Sequence, residues 1–162
     1  MSPITISNPP QIRVSIEDEF AMNGLRSGFD LSGLLPLYIY VRDNINQIAQ
    51  NKDLEFSIGS GTFIYKVSRD TIKIIDAKDL NSQNSIFGNI RISPREHFWV
   101  SYIKRGFEFS GLLPLYSYVK NNIKQLENKK DMEFTIGTST IVYEVRNNSE
   151  IHLITGWNGS RK

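Results

Sequence analysis

Residue types that commonly perform acid–base, nucleophilic or metal chemistry are sparse in this sequence. It contains two histidines, His97 and His152, and no cysteine. The lack of cysteine excludes disulfide bonds, thiolate metal ligands and thiol nucleophiles. Both histidines lie in the second copy of an internal repeat, and the first copy has Glu19 and Lys73 in their places. A catalytic site built on the repeat would be expected in both copies, so we expect a protein that is not an enzyme and needs no cofactor.

Motifs of well-known catalytic and phosphate-binding sites are also missing. The sequence has no HExxH, no GxSxG, no Walker loop and no dinucleotide-binding fingerprint. The stretch "GSGT" at residues 59–62 has the composition of a phosphate-binding loop, but it becomes "GTST" in the second copy and separates two strand-like runs. It therefore predicts a hairpin turn.

Three consecutive carboxylates, Glu17, Asp18 and Glu19, form a cluster that we call the acidic turn. Consecutive residues in the first turn of a helix point in different directions and already complement the helix dipole, so we expect no metal site here. The second copy has Arg95, Glu96 and His97 at these positions. An acidic patch confined to the first copy suits docking on a basic partner.

A set of aromatic and amide residues recurs in both copies and is a candidate partner-binding surface. Its members follow the i, i+4, i+7 spacing of one helical face. They are Tyr40, Asn44 and Gln47 in the first copy and Tyr118, Asn122 and Gln125 in the second. Tyrosine is enriched at interaction hot spots. Two other interpretations stay open: the set forms the seam between the copies, or it covers the sheet. Trp157, which follows the last predicted strand, joins the partner-binding set as an expected exposed aromatic residue.

Basic residues near aromatic ones in the second copy support an alternative function, binding of nucleic acid or a nucleotide. The candidates are Trp99, Lys104, Arg105, Lys120 and Lys124. Acidic residues interrupt these runs, and no known nucleic-acid-binding motif accompanies them.

The elements that position these candidates come from a duplication. With an offset of 78, residues 12–71 align without a gap to residues 90–149, and about 27 of the 60 positions are identical. The clearest match sets "GFDLSGLLPLYIYV" at position 28 against "GFEFSGLLPLYSYV" at position 106. A repeat this long indicates two small domains rather than layers of a solenoid.

Each copy predicts an α+β unit in the order β-α-α-β-β-β, with an antiparallel sheet and helices on one face. Ser93, Pro94 and Glu96 have the spacing of a capping box for the first helix, and Ser15 and Asp18 repeat it. That helix should run about ten residues and end near Gly28 or Gly106. The second helix carries an apolar stripe, which in the first copy extends to Ile48.

The expected domains are residues 1–77 and 90–162, joined by a polar linker at 78–89. Units of this size bury too little surface to be stable alone, so we expect them to pack as a single-chain dimer with pseudo-two-fold symmetry.

Composition narrows the class of protein further. Hydrophobic residues make up 40% and charged residues 22% of the 162 residues, which is typical of a soluble globular protein. No segment approaches the roughly 20 apolar residues of a membrane span, and no signal peptide is visible, so we expect a cytoplasmic protein without a membrane partner. The net charge of the chain is +2; residues 12–77 carry −2, residues 90–155 carry +2, and the residues outside these two ranges supply the remaining +2.

Small size, missing catalytic motifs and copies of opposite charge favour a stoichiometric binding protein. We expect it to occlude a protein target, as an immunity protein, an antitoxin or a phage inhibitor of a defence system does. Nucleic-acid binding is the alternative, and an enzyme with its cleft between the copies is the third hypothesis.

Overall fold

The computed structural model describes residues 4–6, 12–59, 61–80, 90–105, 111–147 and 149–158. Nine strands and five helices lie in these residues. The strands are β1 (Ile4–Ile6), β2 (Arg13–Ile16), β3 (Leu54–Ile58), β4 (Gly61–Ser68), β5 (Thr71–Lys78), β6 (Arg91–Pro94), β7 (Met132–Ile136), β8 (Ser139–Arg146) and β9 (Glu150–Asn158). The helices are α1 (Asp18–Ser27), α2 (Leu34–Asn44), α3 (Glu96–Arg105), α4 (Leu112–Asn121) and α5 (Ile123–Leu126).

The strands form two similar sheets, one in each half of the chain. The first has the order β2-β5-β4-β3, and the second repeats it as β6-β9-β8-β7 with β1 added beside β7. The expected α+β class is confirmed, and the order β-α-α-β-β-β is found from β2 to β5, whereas the short helix α5 is added to it in the second half. The expectation of antiparallel sheets is wrong, because β2 pairs in parallel with β5, and β6 pairs in parallel with β9. Each sheet is therefore mixed.

The predicted capping boxes are also wrong. Pro94 pairs with Leu153 as the last residue of β6, and α3 begins two residues later at Glu96. In the first half, Glu17 is the N-cap of α1 and makes no side-chain capping hydrogen bond. Its backbone N–H instead donates to the Ile74 carbonyl at 2.9 Å, because the chain leaves β2 while still beside β5.

The ends of the helices follow the sequence more closely. Helices α1 and α3 are each 10 residues long, as expected. Gly28 ends α1 with a φ of +69°, a conformation that favours glycine, and its N–H donates to the Gly24 carbonyl. The matching Gly106 lies outside the described residues. The apolar stripe extends past the second helix: α2 ends at Asn44, and Ile48 packs on the core from the turn beyond.

The two halves share one hydrophobic core across a contact between α1 and α3. Equivalent positions on these helices have opposite sizes, since Ala21 and Gly24 of α1 correspond to Trp99 and Tyr102 of α3. The Trp99 ring is 1% exposed. A Cβ atom on Gly24 would lie 2.6 Å from two atoms of that ring. The small residues of one half thus make room for the large residues of the other.

A polar contact at the same seam is equally one-sided. The Tyr102 hydroxyl donates to the Ile16 carbonyl at 2.5 Å and accepts from the Ile16 N–H at 3.1 Å. By the repeat, Ile16 of the first half corresponds to Pro94 of the second, and Tyr102 of the second half corresponds to Gly24 of the first. Pro94 has no N–H to satisfy, and Gly24 has no side chain to satisfy it. Where the second half lacks the backbone N–H, at Pro94, the first half also lacks the tyrosine hydroxyl that would accept from it, at Gly24.

The first residues of the chain cross to the second sheet. Strand β1 pairs in parallel with β7, with Ile4 opposite Phe134 and Ile6 opposite Ile136. Strand β1 was assigned by sequence to the first unit, residues 1–77, but it belongs to the sheet of the second half. At the end of that unit, the expected linker begins inside β5, and its Leu80 is fully buried. Residues 81–89 of the linker lie outside the described residues.

None of the helices in the described ranges is both long and apolar enough to cross a membrane.

Candidate functional site

A groove of about 280 Å³ lies between the C-terminal end of α2 and the neighbouring strands β3 and β4. The structure brings all three first-copy candidates into it. The lining residues are Tyr40, Asn44, Gln47, Ile48, Ala49, Leu54, Glu55 and Tyr65. The groove combines two tyrosine rings, two amides, one carboxylate and aliphatic surface. This mixture suits a protein segment that carries both apolar side chains and hydrogen-bonding groups.

Tyr40 is the most prominent residue of this groove. It is 44% exposed, and its ring lies 5.6 Å from the Phe56 ring, between centroids. One face of the ring therefore covers the sheet, as one of the sequence interpretations expected, while much of the side chain remains accessible. Its ring partner, Phe56, belongs to the same half of the chain. A half-exposed aromatic residue held by another ring can act as an interaction anchor.

The recurrence of asparagine in both copies has a structural explanation. The Asn44 amide donates to the Tyr40 carbonyl at 2.8 Å, and the Asn122 amide donates to the Tyr118 carbonyl at the same distance. Each bond runs from a side chain at the C-terminal end of a helix to the backbone carbonyl four residues earlier. Gln125, by contrast, is exposed in α5, as Gln47 is beyond α2. The asparagines thus hold the helix ends, and the glutamines are available for contact.

The two halves differ in what their second helices present to solvent. In α2, Ile39 and Tyr40 are 36% and 44% exposed. In α4, the residue equivalent to Ile39 is the exposed Ser117, and Tyr118 is half-buried. An adjacent pair of large apolar side chains therefore faces solvent only on the first of these two helices.

Tyrosines behind the two helices ionise with difficulty. Burial raises the pKa of Tyr65, and the nearby Tyr40 hydroxyl raises it further. Burial likewise raises the pKa of Tyr143 to about 12, with a smaller contribution from Tyr118. Tyr65 and Tyr143 occupy equivalent positions, each beside a β-bulge. Both hydroxyls therefore stay protonated and uncharged at neutral pH.

The acidic turn forms a second, separate surface. Glu17, Asp18 and Glu19 are all exposed. They line an open depression of about 400 Å³ together with Asp53, Lys66 and Ile75. Lys66 already lies 3.6 Å from Asp53 in an ion pair. Across the described ranges, no group of three or more histidine, aspartate or glutamate residues has the arrangement of a metal site.

Both tryptophans are buried, although the sequence made each of them a candidate for an exposed binding surface. Trp157 falls inside β9, opposite Thr140, and is 7% exposed, so the prediction of an exposed aromatic residue beyond the last strand is wrong. Trp99 is enclosed by Phe20, Phe29 and Phe98, with ring centroids 6.0 to 6.4 Å away. Its ring is therefore not available for stacking on a nucleic-acid base. The other candidates of that alternative, Lys104, Lys120 and Lys124, are exposed, whereas the side chain of Arg105 is outside the described set.

Two polar groupings escaped the sequence reasoning. His152 has partners after all: its Nε2 lies 2.9 Å from Glu150, and its Nδ1 lies 3.4 Å from Arg95. Arg95 and Glu150 are distant in sequence from each other, so no local pattern could reveal the contact. His97 is exposed.

The second grouping centres on Asp30, which is 2% exposed at the seam. Its carboxylate accepts from the N–H groups of Ser32 and Ile92, at 3.0 and 3.1 Å, and lies 3.4 Å from the Arg91 guanidinium. It therefore ties the first half to the edge of β6. The sequence feature that could have identified Asp30 is an acidic residue at the same place in both copies of the repeated phrase, since Glu108 is its counterpart.

Comparison with known proteins gives no relative: no family model, curated protein or solved structure matches this chain. The geometry of the surfaces is therefore the basis for a functional conclusion.

Proposed function

We propose that this chain is a tandem duplication that acts as a non-enzymatic protein-binding module. It binds one protein target stoichiometrically and occludes the site through which that target acts, in the manner of an immunity protein or an inhibitor of a toxin or defence effector. The observation that carries the proposal is the exposed Tyr40, beside Ile39 and next to a groove with amide groups and a carboxylate.

Several shared details support the duplication. Both sheets have the same strand order, and both carry a bulge at the same place in their central hairpin. Both second helices end with the same amide-to-carbonyl bond. The pairing of small with large residues at the seam supports a pseudo-two-fold arrangement in which the two copies have become complementary rather than identical.

The differences between the copies support a division of labour. The first half exposes Ile39 and Tyr40 and carries the acidic turn. The second half has replaced Ile39 by Ser117 and buries Tyr118 more deeply. We therefore assign the main interface to the first half, with the second half completing the core.

A matched pair of variants tests this assignment. The tagged chain is purified from its host with and without nuclease, and the recovered protein is then titrated against purified wild type, Tyr40→Ala and Tyr118→Ala. We expect nuclease-resistant recovery of one protein at a ratio near one to one. Loss of the Tyr40 ring should weaken binding by at least tenfold, because buried aromatic anchors dominate interface energy, while Tyr118→Ala retains near wild-type affinity.

Two outcomes would overturn the proposal. Recovery that depends on nucleic acid would transfer the function to the exposed lysines of the second half, the alternative that the sequence raised. Equal affinity of wild type and Tyr40→Ala for the recovered protein would remove the groove from the interface.

A further inference from the structure

The second sheet shows what its outer edge can accept. Strand β7 has β8 on one side and the three-residue strand β1 on the other. The added strand runs parallel to β7, with Ile4, Thr5 and Ile6 opposite Phe134, Thr135 and Ile136. The occupant of this edge thus has the pattern aliphatic, β-branched polar, aliphatic.

The equivalent edge of the first sheet is formed by β3, and no described strand pairs with its outer side. The two strands have closely related sequences, "LEFSI" in β3 and "MEFTI" in β7. Their burial differs. The apolar residues of β7 are 0 to 7% exposed, whereas Leu54, Phe56 and Ile58 of β3 are only partly buried. The first half therefore presents an apolar strand that its counterpart covers more fully.

The outward-facing backbone groups of β3 follow from its hairpin. Ile58 pairs with Gly61 across a two-residue turn, which makes them a hydrogen-bonded pair. Since hydrogen-bonded and non-bonded pairs alternate along an antiparallel ladder, the N–H and C=O groups of Glu55 and Ser57 point to the free edge. Ser57 corresponds to Thr135, which lies opposite Thr5 of β1. The edge of β3 is thus equipped for the same parallel pairing.

The charge of Glu55 does not prevent a strand from pairing with β3, and the repeat does not supply a second copy of the β1 sequence to fill this edge. Glu133 of β7 occupies the position of Glu55, and β7 nevertheless carries an added strand. The segment that corresponds to β1 by the 78-residue offset is residues 82–84, with the sequence "SQN". This sequence lacks the β-branched residues of "ITI" and has low strand propensity. Because no described strand pairs with this edge, we look for an occupant with the right chemistry in another molecule.

We propose that β3 accepts an extended segment of the partner protein, which adds to the sheet as a parallel strand. The segment carries aliphatic residues at alternate positions, opposite Phe56 and Ile58, and a small polar residue opposite Ser57. The residue opposite Phe56 lies on the side of the sheet where Tyr40 covers Phe56, so the added strand meets the groove beside β3. This inference rests on the proposed protein-binding function and specifies its mode, in which main-chain bonds supply affinity and side chains supply selectivity.

The test uses a peptide with the sequence of residues 2–8, "SPITISN", as the probe and the full chain as the receptor. Amide hydrogen exchange is followed by NMR with and without the peptide at millimolar concentration. We expect the peptide to slow exchange of the Ser57 amide at least tenfold and to leave the Thr135 amide, already paired with β1, unchanged. A peptide with both isoleucines replaced by asparagine should have no effect.

A matched pair at one position checks the main-chain bond. Ser57→Thr copies the residue found in β7 and should bind the peptide as wild type does. Ser57→Pro removes the outward N–H and should weaken binding at least tenfold. Proline is tolerated on edge strands, and thermal melting shows whether this variant is folded. If it is not, the exchange experiment on the wild-type chain decides.

The failures are distinguishable. Protection of Thr135 in place of Ser57 would mean that the peptide only exchanges with β1, and the proposal for β3 would be wrong. Concentration-dependent protection of Ser57 without peptide would identify a second copy of this chain as the occupant and would also overturn it. A partner whose affinity depends on Tyr40 but is equal for Ser57→Thr and Ser57→Pro would preserve the protein-binding function and reject strand addition.

Discussion

The close contact between Gly24 and Trp99 predicts that Gly24→Ala destabilises the wild-type chain but stabilises a chain in which Trp99 has been replaced by a smaller residue. Alanine is favoured over glycine in a helix by about 1 kcal/mol. In the wild-type chain, however, the new Cβ would lie 2.6 Å from the Trp99 ring, which is 1% exposed and enclosed by three phenylalanine rings. Overpacking of this kind costs about 1–3 kcal/mol. The cost less the gain in helix propensity is a fall of up to about 2 kcal/mol in the free energy of unfolding for Gly24→Ala.

In a Trp99→Leu background the ring is gone, and Gly24→Ala should raise the free energy of unfolding by up to about 1 kcal/mol. The helix gain is common to both backgrounds, so the double-mutant cycle predicts a coupling equal to the overpacking cost, about 1–3 kcal/mol, measured by urea unfolding of the four proteins. Gly28→Ala is the control. A Cβ at Gly28 meets no atom within 4 Å, but the φ of +69° disfavours alanine, so it should cost about 1–2 kcal/mol in both backgrounds. If Gly24→Ala had the same effect with and without Trp99, the proposed fit between α1 and α3 would be wrong.

Three further predictions concern the seam, the buried tyrosines and the acidic turn. Asp30→Ala should lower the free energy of unfolding by about 2–4 kcal/mol, because it leaves the buried N–H groups of Ser32 and Ile92 without this acceptor, whereas Asp30→Asn retains an acceptor and should cost less than half as much in urea unfolding. The pKa of Tyr143 is raised to about 12 in the folded chain and is near 10 in the unfolded chain. The unfolded state therefore releases this proton first, and stability should fall as the pH rises from about 10 to 12. Thermal melts across this range should show a shallower decline for Tyr143→Phe, and an unchanged slope would contradict the assignment. Changing Glu17, Asp18 and Glu19 together to lysine should weaken binding of a basic target at least tenfold in a calorimetric titration, and unchanged affinity would exclude the acidic turn from the interface.

The local features of the fold could be predicted from the sequence, because they depend on local patterns. The apolar spacing and a terminal glycine indicated the ten-residue α1, and alternation indicated the strands of both hairpins. Strand pairing could not be predicted in the same way. Alternation shows which face of a strand is buried but not which strand lies beside it, so the parallel pairing of β2 with β5 was missed.

The errors at Pro94 and Trp157 have the same origin. Serine, proline and glutamate have the spacing of a helix start, yet pairing with β9 keeps Pro94 in a strand. The glycine before Trp157 indicated the end of a strand, yet pairing with β8 extends β9 through it. In each case a contact with a distant strand overrides a local preference.

The candidate site was predictable only in part. Tyr40, Asn44 and Gln47 line one groove, although α2 ends at Asn44 and Gln47 lies in the turn beyond it. The sequence did not show that Trp99 would fill a space left by Gly24, because that space belongs to the other half of the molecule. Burial at the seam depends on how the halves meet, and no pattern within one half contains that information.

The crossing of β1 into the second sheet has a consequence for folding during synthesis. The partner of Ile4, Phe134, is made 130 residues after it. While the ribosome translates the residues between Ile4 and Phe134, β1 has no strand to pair with and must not bind elsewhere. At translation rates of about 5–20 residues per second, this interval lasts roughly 7–26 seconds. Strand β1 can therefore cover the outer edge of β7 only after this interval, whereas the residues of the uncovered β3 edge are made earlier.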